Sequence, residues 1–138
     1  MSTVKNLMKE KGDGTNYTME GEENVLKALK TMSEANISAV MVTENGRIVG
    51  IFTERDYARK CELKGLSAGG TLLRDVMTEQ MMTVTPETSI DQCMKLMNQY
   101  HIRHLPVVTA GKAVGMISLR DLFLDVIEEK LGVVGLDE

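Results

Sequence analysis

Gly50-Ile51-Phe52-Thr53-Glu54-Arg55-Asp56 returns 65 residues later as Gly115-Met116-Ile117-Ser118-Leu119-Arg120-Asp121. Each copy reads glycine, two apolar residues, a hydroxyl residue, a free position, arginine and aspartate. The apolar pair after a glycine predicts the end of a buried strand. The hydroxyl residue predicts a helix N-cap, and the aspartate three positions on falls in the first helical turn. Such a junction offers unpaired backbone N–H groups, the positive end of a helix dipole, a hydroxyl and a carboxylate. That set suits an anion with a sugar attached. The same residues also spell a capping box, which accounts for hydroxyl and acid without any ligand. Taken singly, each motif favours the cap. The reading as a site rests on the repetition and its surroundings.

Outward from the motif, residues 36–57 and 101–122 align without a gap and share seven identities: Ile37/Ile102, Val42/Val107, Gly46/Gly111, Val49/Val114, Gly50/Gly115, Arg55/Arg120 and Asp56/Asp121. Two copies form a tandem duplication, not a solenoid array. In the first copy, Tyr17-Thr18-Met19 predicts a short strand. Val25, Ala28, Leu29, Met32 and Ala35 recur at helical spacing across residues 22–35. Ile37 to Thr43 reads as a strand, Asn45-Gly46 as a hairpin turn, and Ile48 to Phe52 as the return strand. Thr53 then opens a helix to about Leu63.

The second copy follows the same order. Thr83-Val84-Thr85 predicts a strand stopped by Pro86. Ser89 and Gln92 suggest a capping box for a helix from Ile90 to Tyr100, with Ile90, Cys93, Met94 and Met97 buried. His104 to Thr109 and Ala113 to Ile117 form a strand pair about Gly111. A last helix runs from Leu119 to about Lys130, and the tail to Glu138 frays. Short helices are expected at 3–10, broken by Lys11-Gly12-Asp13-Gly14, and at 71–77 with Thr71 as its cap. Residues 64–70 form the connector. The division expected is therefore 1–70 for the first repeat and 71–138 for the second. The fold class is α+β. Each half is too small to bury a good core alone, so the two are expected to pack sheet against sheet about an approximate twofold axis.

Composition narrows the function classes. At 138 residues, with 43% hydrophobic and 26% charged side chains, the chain is globular rather than disordered. The net charge of −4 argues against nucleic acid as a partner. No apolar run is long enough to span a bilayer, and the N-terminus does not read as a signal peptide, so no membrane association is expected. Cys61 and Cys93 lie in helical patterns without metal-ligand spacing and read as free thiols in a reducing, cytoplasmic setting. The 11 methionines read by default as core filler. The two histidines, His101 and His104, lack a nucleophile motif or an acid pair, which argues against an enzyme.

The strand–helix–strand–strand–helix unit in tandem resembles a pair of CBS (cystathionine-β-synthase) domains, the Bateman module, of the stand-alone bacterial type. Ile102-Arg103-His104-Leu105-Pro106-Val107-Val108, with the motif at 115–121, carries the resemblance in the second copy. Ile37-Ser38-Ala39-Val40-Met41-Val42, with the motif at 50–56, carries it in the first. The resemblance covers nearly the whole chain, from Val4 to Glu129.

The resemblance implies a regulatory sensor that binds an adenosine-containing ligand in the cleft between repeats: AMP, ADP, ATP or NAD, with S-adenosylmethionine a further family ligand. No cofactor is required. Asp56 and Asp121 would bond the ribose hydroxyls, since a carboxylate offers two acceptor oxygens to two donors. Thr53 and Ser118 would reach ribose or phosphate. Ile51 and Ile117 would line the apolar slots, with Ile102 beside them. Thr83 and Thr88 would flank the Asp56 slot, and Thr18 and Glu23 the Asp121 slot. By a crossed arrangement, Arg103 and His104 would serve Asp56, while Ser38 and Ala39 would serve Asp121. Arg suits phosphate, so Asp56, Thr53, Arg103 and His104 are expected to form the better nucleotide site. Arg55 and Arg120 stand evenly between phosphate contact and exposed helix face.

Departures from the family pattern weaken the Asp121 side. Met41 stands opposite Pro106, Gly21 opposite Pro86, and Glu23 opposite Thr88. The resemblance further implies a homodimer, through the apolar faces of Leu119–Ile127 and of the helix after Thr53, and a separate effector protein. A ligand-free dimerisation or docking module is the alternative.

Overall fold

The computed structural model describes residues 2–11 and 18–131. The mixed α+β architecture expected from the pattern is present. The expectations for Gly12-Asp13-Gly14, Tyr17 and the tail lie outside the described residues.

The chain forms two compact units. One is drawn from residues 17–81, the other from residues 1–16 together with 82–138. These units do not follow the sequence division at 70/71. The reason is visible in the backbone hydrogen bonds of the two short helices, described below.

In the 17–81 unit, β1 (Thr18–Glu20) runs parallel to β2 (Ala39–Glu44), which pairs antiparallel with β3 (Arg47–Thr53). Helix α2 (Val25–Ala35) connects β1 to β2 and buries Val25, Ala28 and Met32. It starts three residues later than the periodicity suggested, because the Asn24 side chain accepts the Lys27 N–H and fixes the cap there. Asn36 closes it in the left-handed conformation, and Ile37 N–H bonds the Met32 carbonyl. This closure uses the residues expected to open the strand, so β2 begins at Ala39. Asn45 and Gly46 both have positive φ, at 53° and 79°, as a two-residue hairpin turn requires. The helical segment after Thr53 is α3 (Glu54–Asp56), continuing as a π-helix over Tyr57–Glu62. Met19, Val25, Ala28, Met32, Val40, Val42, Phe52 and Cys61 form the core with Leu73 and Val76.

Those last two residues belong to α4 (Leu73–Val76), which Thr71 does not cap. Leu72 holds the N-cap position with no side-chain bond, and the Thr71 hydroxyl donates instead to the Ser67 carbonyl. Leu73 N–H bonds the Glu23 carbonyl and Arg74 N–H the Gly21 carbonyl.

The other unit repeats this plan. Helix α1 (Val4–Lys11) occupies the place of α4: Val4 N–H bonds the Thr88 carbonyl and Lys5 N–H the Pro86 carbonyl. Helix α5 (Ile90–Tyr100) is capped by Ser89, whose side chain accepts the Gln92 N–H, and buries Ile90, Cys93 and Met97. Met94 is 40% exposed rather than buried, because it sits at the margin of that stripe. Strands β4 (His104–Thr109) and β5 (Lys112–Ser118) form an antiparallel pair, followed by α6 (Leu119–Leu131). The strand expected at Thr83–Thr85 reduces to one parallel bridge, Val84 to Val107. Thr85 turns instead toward Thr88, whose hydroxyl accepts its N–H at 3.0 Å. Val4, Leu7, Val84, Ile90, Cys93, Met97, Leu105, Val107, Ile117 and Leu122 form the core. Both cysteines are free and buried, and burial pushes the Cys93 thiol up to about 11.

Candidate functional site

The motif forms the same junction twice. At the end of β3, Thr53 caps the helix: its hydroxyl oxygen accepts the Asp56 N–H at 3.1 Å, and Asp56 Oδ2 accepts the Thr53 N–H at 3.0 Å. At the end of β5, the Ser118 hydroxyl accepts the Asp121 N–H at 3.1 Å, and Asp121 Oδ2 accepts the Ser118 N–H at 2.8 Å. Both pairs are reciprocal capping boxes closed by Asp. The preceding strand is tied on identically. Glu54 N–H bonds the Ser38 carbonyl at 3.1 Å, and Leu119 N–H bonds the Arg103 carbonyl at 2.8 Å. Ala39 pairs with Thr53, and His104 with Ser118. Within its own unit, each junction is therefore flanked by the strand residues that the crossed assignment gave to the other copy's carboxylate.

The Asp56 carboxylate is 5% exposed and takes two further donors. Thr78 Oγ1 donates to Oδ1 at 2.8 Å, and Lys60 Nζ lies 3.1 Å from the same oxygen. With Thr53 N–H and Thr53 Oγ1 (3.2 Å) on Oδ2, four donors meet two oxygens. Lys60 Nζ also donates to the Met77 carbonyl and the Thr78 hydroxyl, both at 3.3 Å. Lys60 and Thr78 were not among the sequence candidates. Lys60 follows Asp56 by four residues, a spacing that places both on one helix face. Thr78 reaches the site because it bridges Ile51, each N–H bonding the other's carbonyl. The N–H and carbonyl of Ile51, a residue expected to line an apolar slot, are thereby both bonded.

Gly50 admits this segment: a Cβ there would stand 2.6 Å from Met77 Sδ and 3.0 Å from the Thr78 carbonyl oxygen. The helix beyond is a π-helix, and Tyr57 spans it by donating to Glu62 at 2.6 Å, a contact that raises the phenol above its ordinary range.

At the offset of Lys60, the second copy has Asp125. Burial, then Glu129 and Glu128, hold its carboxyl above the usual carboxylate range. The two junctions share a backbone plan and differ in the charge one turn on.

The remaining candidates scatter in role. Ile117 is buried in the core and Ile102 packs against it, its N–H on the Met97 carbonyl. Arg55, Arg103 and Arg120 are exposed, as are Thr18 on β1 and Thr83. Thr88 is half-buried in its turn with Thr85. Glu23 pairs with Lys27. Among the described residues no group of His, Cys, Asp and Glu is placed to hold a metal, and no helix is long and apolar enough to cross a membrane.

This α+β tandem, with one capped strand–helix junction per copy, defines a duplicated small-domain module. Comparison with known proteins gives its family. The CBS domain model matches twice, at residues 4–62 and 73–128. A protein of Burkholderia ambifaria assigned to signal transduction and carrying CBS domains superposes with a TM-score of 0.88 at 39% identity, covering 97% of this chain and 100% of that one. The CBS domain-containing protein CBSX3, mitochondrial, of Arabidopsis thaliana is 38% identical over 93% of this chain and 66% of its own length. The CBS domain-containing protein YhcV of Bacillus subtilis is 31% identical over 88% of this chain and 84% of its own. The chain belongs to the CBS-domain family, as a tandem pair. Proteins of this family are regulatory and signal-transduction modules. Such pairs also occur in enzymes: an inosine-5'-monophosphate dehydrogenase of Korarchaeum cryptofilum is 34% identical over 109 residues, which make up 21% of that protein.

Proposed function

We propose that the chain is a ligand-sensing regulator, not an enzyme, that binds an adenosine-containing nucleotide at the Thr53–Asp56 and Ser118–Asp121 junctions and passes its state to a partner protein. The observation that carries this reading is the junction built twice with the same hydroxyl–carboxylate pair at a helix start. AMP, ADP, ATP and NAD share the ribose diol that a carboxylate accepts and the phosphate that helix N–H groups and nearby arginines favour. A ligand held more tightly in one conformation shifts the population toward it, which is all the signal requires. Two buried free thiols fit a reducing compartment such as the cytoplasm. Self-association as a homodimer fits the exposed Leu119 and Phe123 on α6. One structural neighbour, at 26% identity, is a hexameric CBS-CP12 protein.

The test is a thermal-shift panel with AMP, ADP, ATP, NAD and S-adenosylmethionine on the wild type, Asp56→Asn and Asp121→Asn. A ligand at 100 times its Kd adds about 2.7 kcal/mol of stability. A rise lost in one Asn variant locates the site. A second reading, a ligand-free docking module, is favoured by the four internal donors already on Asp56. No shift with any of the five ligands, on protein shown to be free of bound nucleotide, would put this second reading ahead.

A further inference from the structure

We propose that Lys60 is a built-in lock on the Asp56 carboxylate, so that a ribose binds there only by displacing the Lys60 ammonium. The inference rests on the nucleotide reading above and adds which residue governs access. A carboxylate has about four lone-pair positions, and Asp56 meets four donors. A ribose hydroxyl must therefore take the place of one of them.

The four are not equally held. The Thr53 N–H and hydroxyl belong to the capping box that starts the helix. Thr78 is fixed by its paired backbone bonds to Ile51, in a segment that packs on Gly50. Lys60 alone is attached through a flexible side chain, 42% exposed, whose head can return to water. Its departure also gives up the bonds to the Met77 carbonyl and the Thr78 hydroxyl, but it breaks no helix cap and no backbone pairing, so it is the donor that leaves at least cost. The second copy has no such device at this position, because Asp125 stands there and cannot donate as a carboxylate. The two copies thus differ in sign at this one position, lysine in the first and aspartate in the second.

The experiment measures adenosine binding by calorimetry to the full chain in an Asp121→Asn background, which isolates the Asp56 end. Adenosine carries the ribose diol without a phosphate, so Lys60 cannot attract it by charge. Lys60→Met, and Lys60→Gln as the more soluble second variant, are expected to bind adenosine about fivefold more tightly, the size of a partly exposed ion pair. Added sodium chloride is expected to tighten adenosine binding to the Lys60 form by screening the pair, and to leave the Met variant unchanged. If the Lys60 form binds adenosine and the variants bind no better, the lock is wrong and the nucleotide reading stands. If the variants instead lose AMP without gaining adenosine, Lys60 is a phosphate anchor and the lock is again overturned. If neither form binds adenosine or AMP, the nucleotide reading falls and takes the lock with it. Binding that appears only in the variants would support both.

Discussion

Ala110 and Asn45 occupy the same corner of the two hairpins, and both are left-handed, at φ 54° and 53°. Asn tolerates that region through local hydrogen bonding, whereas alanine pays a steric cost of roughly 1 kcal/mol for its Cβ. Ala110 is exposed, so nothing else constrains it. Ala110→Asn is expected to stabilise the fold by about 0.5–1 kcal/mol, read as a higher urea midpoint at unchanged slope. A midpoint equal to or below that of the wild type would refute this. At this scale the motif residues were legible in sequence. Thr53 and Asp56, and Ser118 and Asp121, are separated by three positions, and a capping box is a local pattern. Lys60 was legible only in principle, as the residue one turn on. Thr78 was not, because its 22-residue separation from Asp56 reflects no periodicity and depends on where the connector runs. The positive φ at Ala110 had a signal too: Gly111 matches Gly46, which fixes the turn even where its first residue is unfavourable.

At the level of elements, hydrophobic periodicity and turn chemistry placed α5 and β4 at their observed bounds, since both are bracketed by strong local signals. Two further differences concern the geometry after Asp56 and the path after α4. The segment after Asp56 has the expected length but π geometry, with Leu63 N–H reaching back to the Ala58 carbonyl. No propensity scale marks such a widening; its i, i+5 hydrogen bond from Tyr57 to Glu62 fits it. The helix expected to run to Met77 ends at Val76, and Thr78 lies along β3 as an extra bridge to Ile51. Gly50 is the reason it fits. Gly50→Ala would push a methyl into Met77 Sδ, which can swing aside, and against the Thr78 carbonyl, which cannot without breaking its bond to Ile51 N–H. The expected cost is about 1–3 kcal/mol. Amide exchange at Thr78 and Ile51 should accelerate more than exchange in α2. Uniform acceleration across the unit would mean that the glycine serves the strand generally and not the bridge.

For the whole molecule, duplication explains why the domain division differs from the repeat division. The contacts of α1 on 86–90 reproduce those of α4 on 21–25, down to the donor and acceptor: Ile90 N–H on the Ser2 carbonyl matches Val25 N–H on the Thr71 carbonyl. Each short helix precedes one repeat in sequence and completes the core of the other. Sequence order cannot reveal this, because both helices carry the same pattern and would fit either partner. The same duplication leaves a remainder on α6. Leu122 is fully buried, but Leu119 and Phe123, four apart on one face, are 45% and 60% exposed. An aromatic ring on such a face is a strong candidate for an anchor, and a twofold interface uses each residue twice. If the proposed homodimer forms through α6, Phe123→Lys removes two anchors at once while leaving the Leu122 side of the helix in its core. The dimer Kd should then rise by at least about tenfold, given roughly 1–2 kcal/mol per buried aromatic anchor. Sedimentation equilibrium over a range of concentrations measures it, and the thermal midpoint extrapolated to low concentration checks that the protomer is intact. A Kd unchanged by the substitution would place the self-association surface elsewhere. A wild type that is monomeric throughout would remove the homodimer from the proposal and leave the exposed pair available to the effector protein.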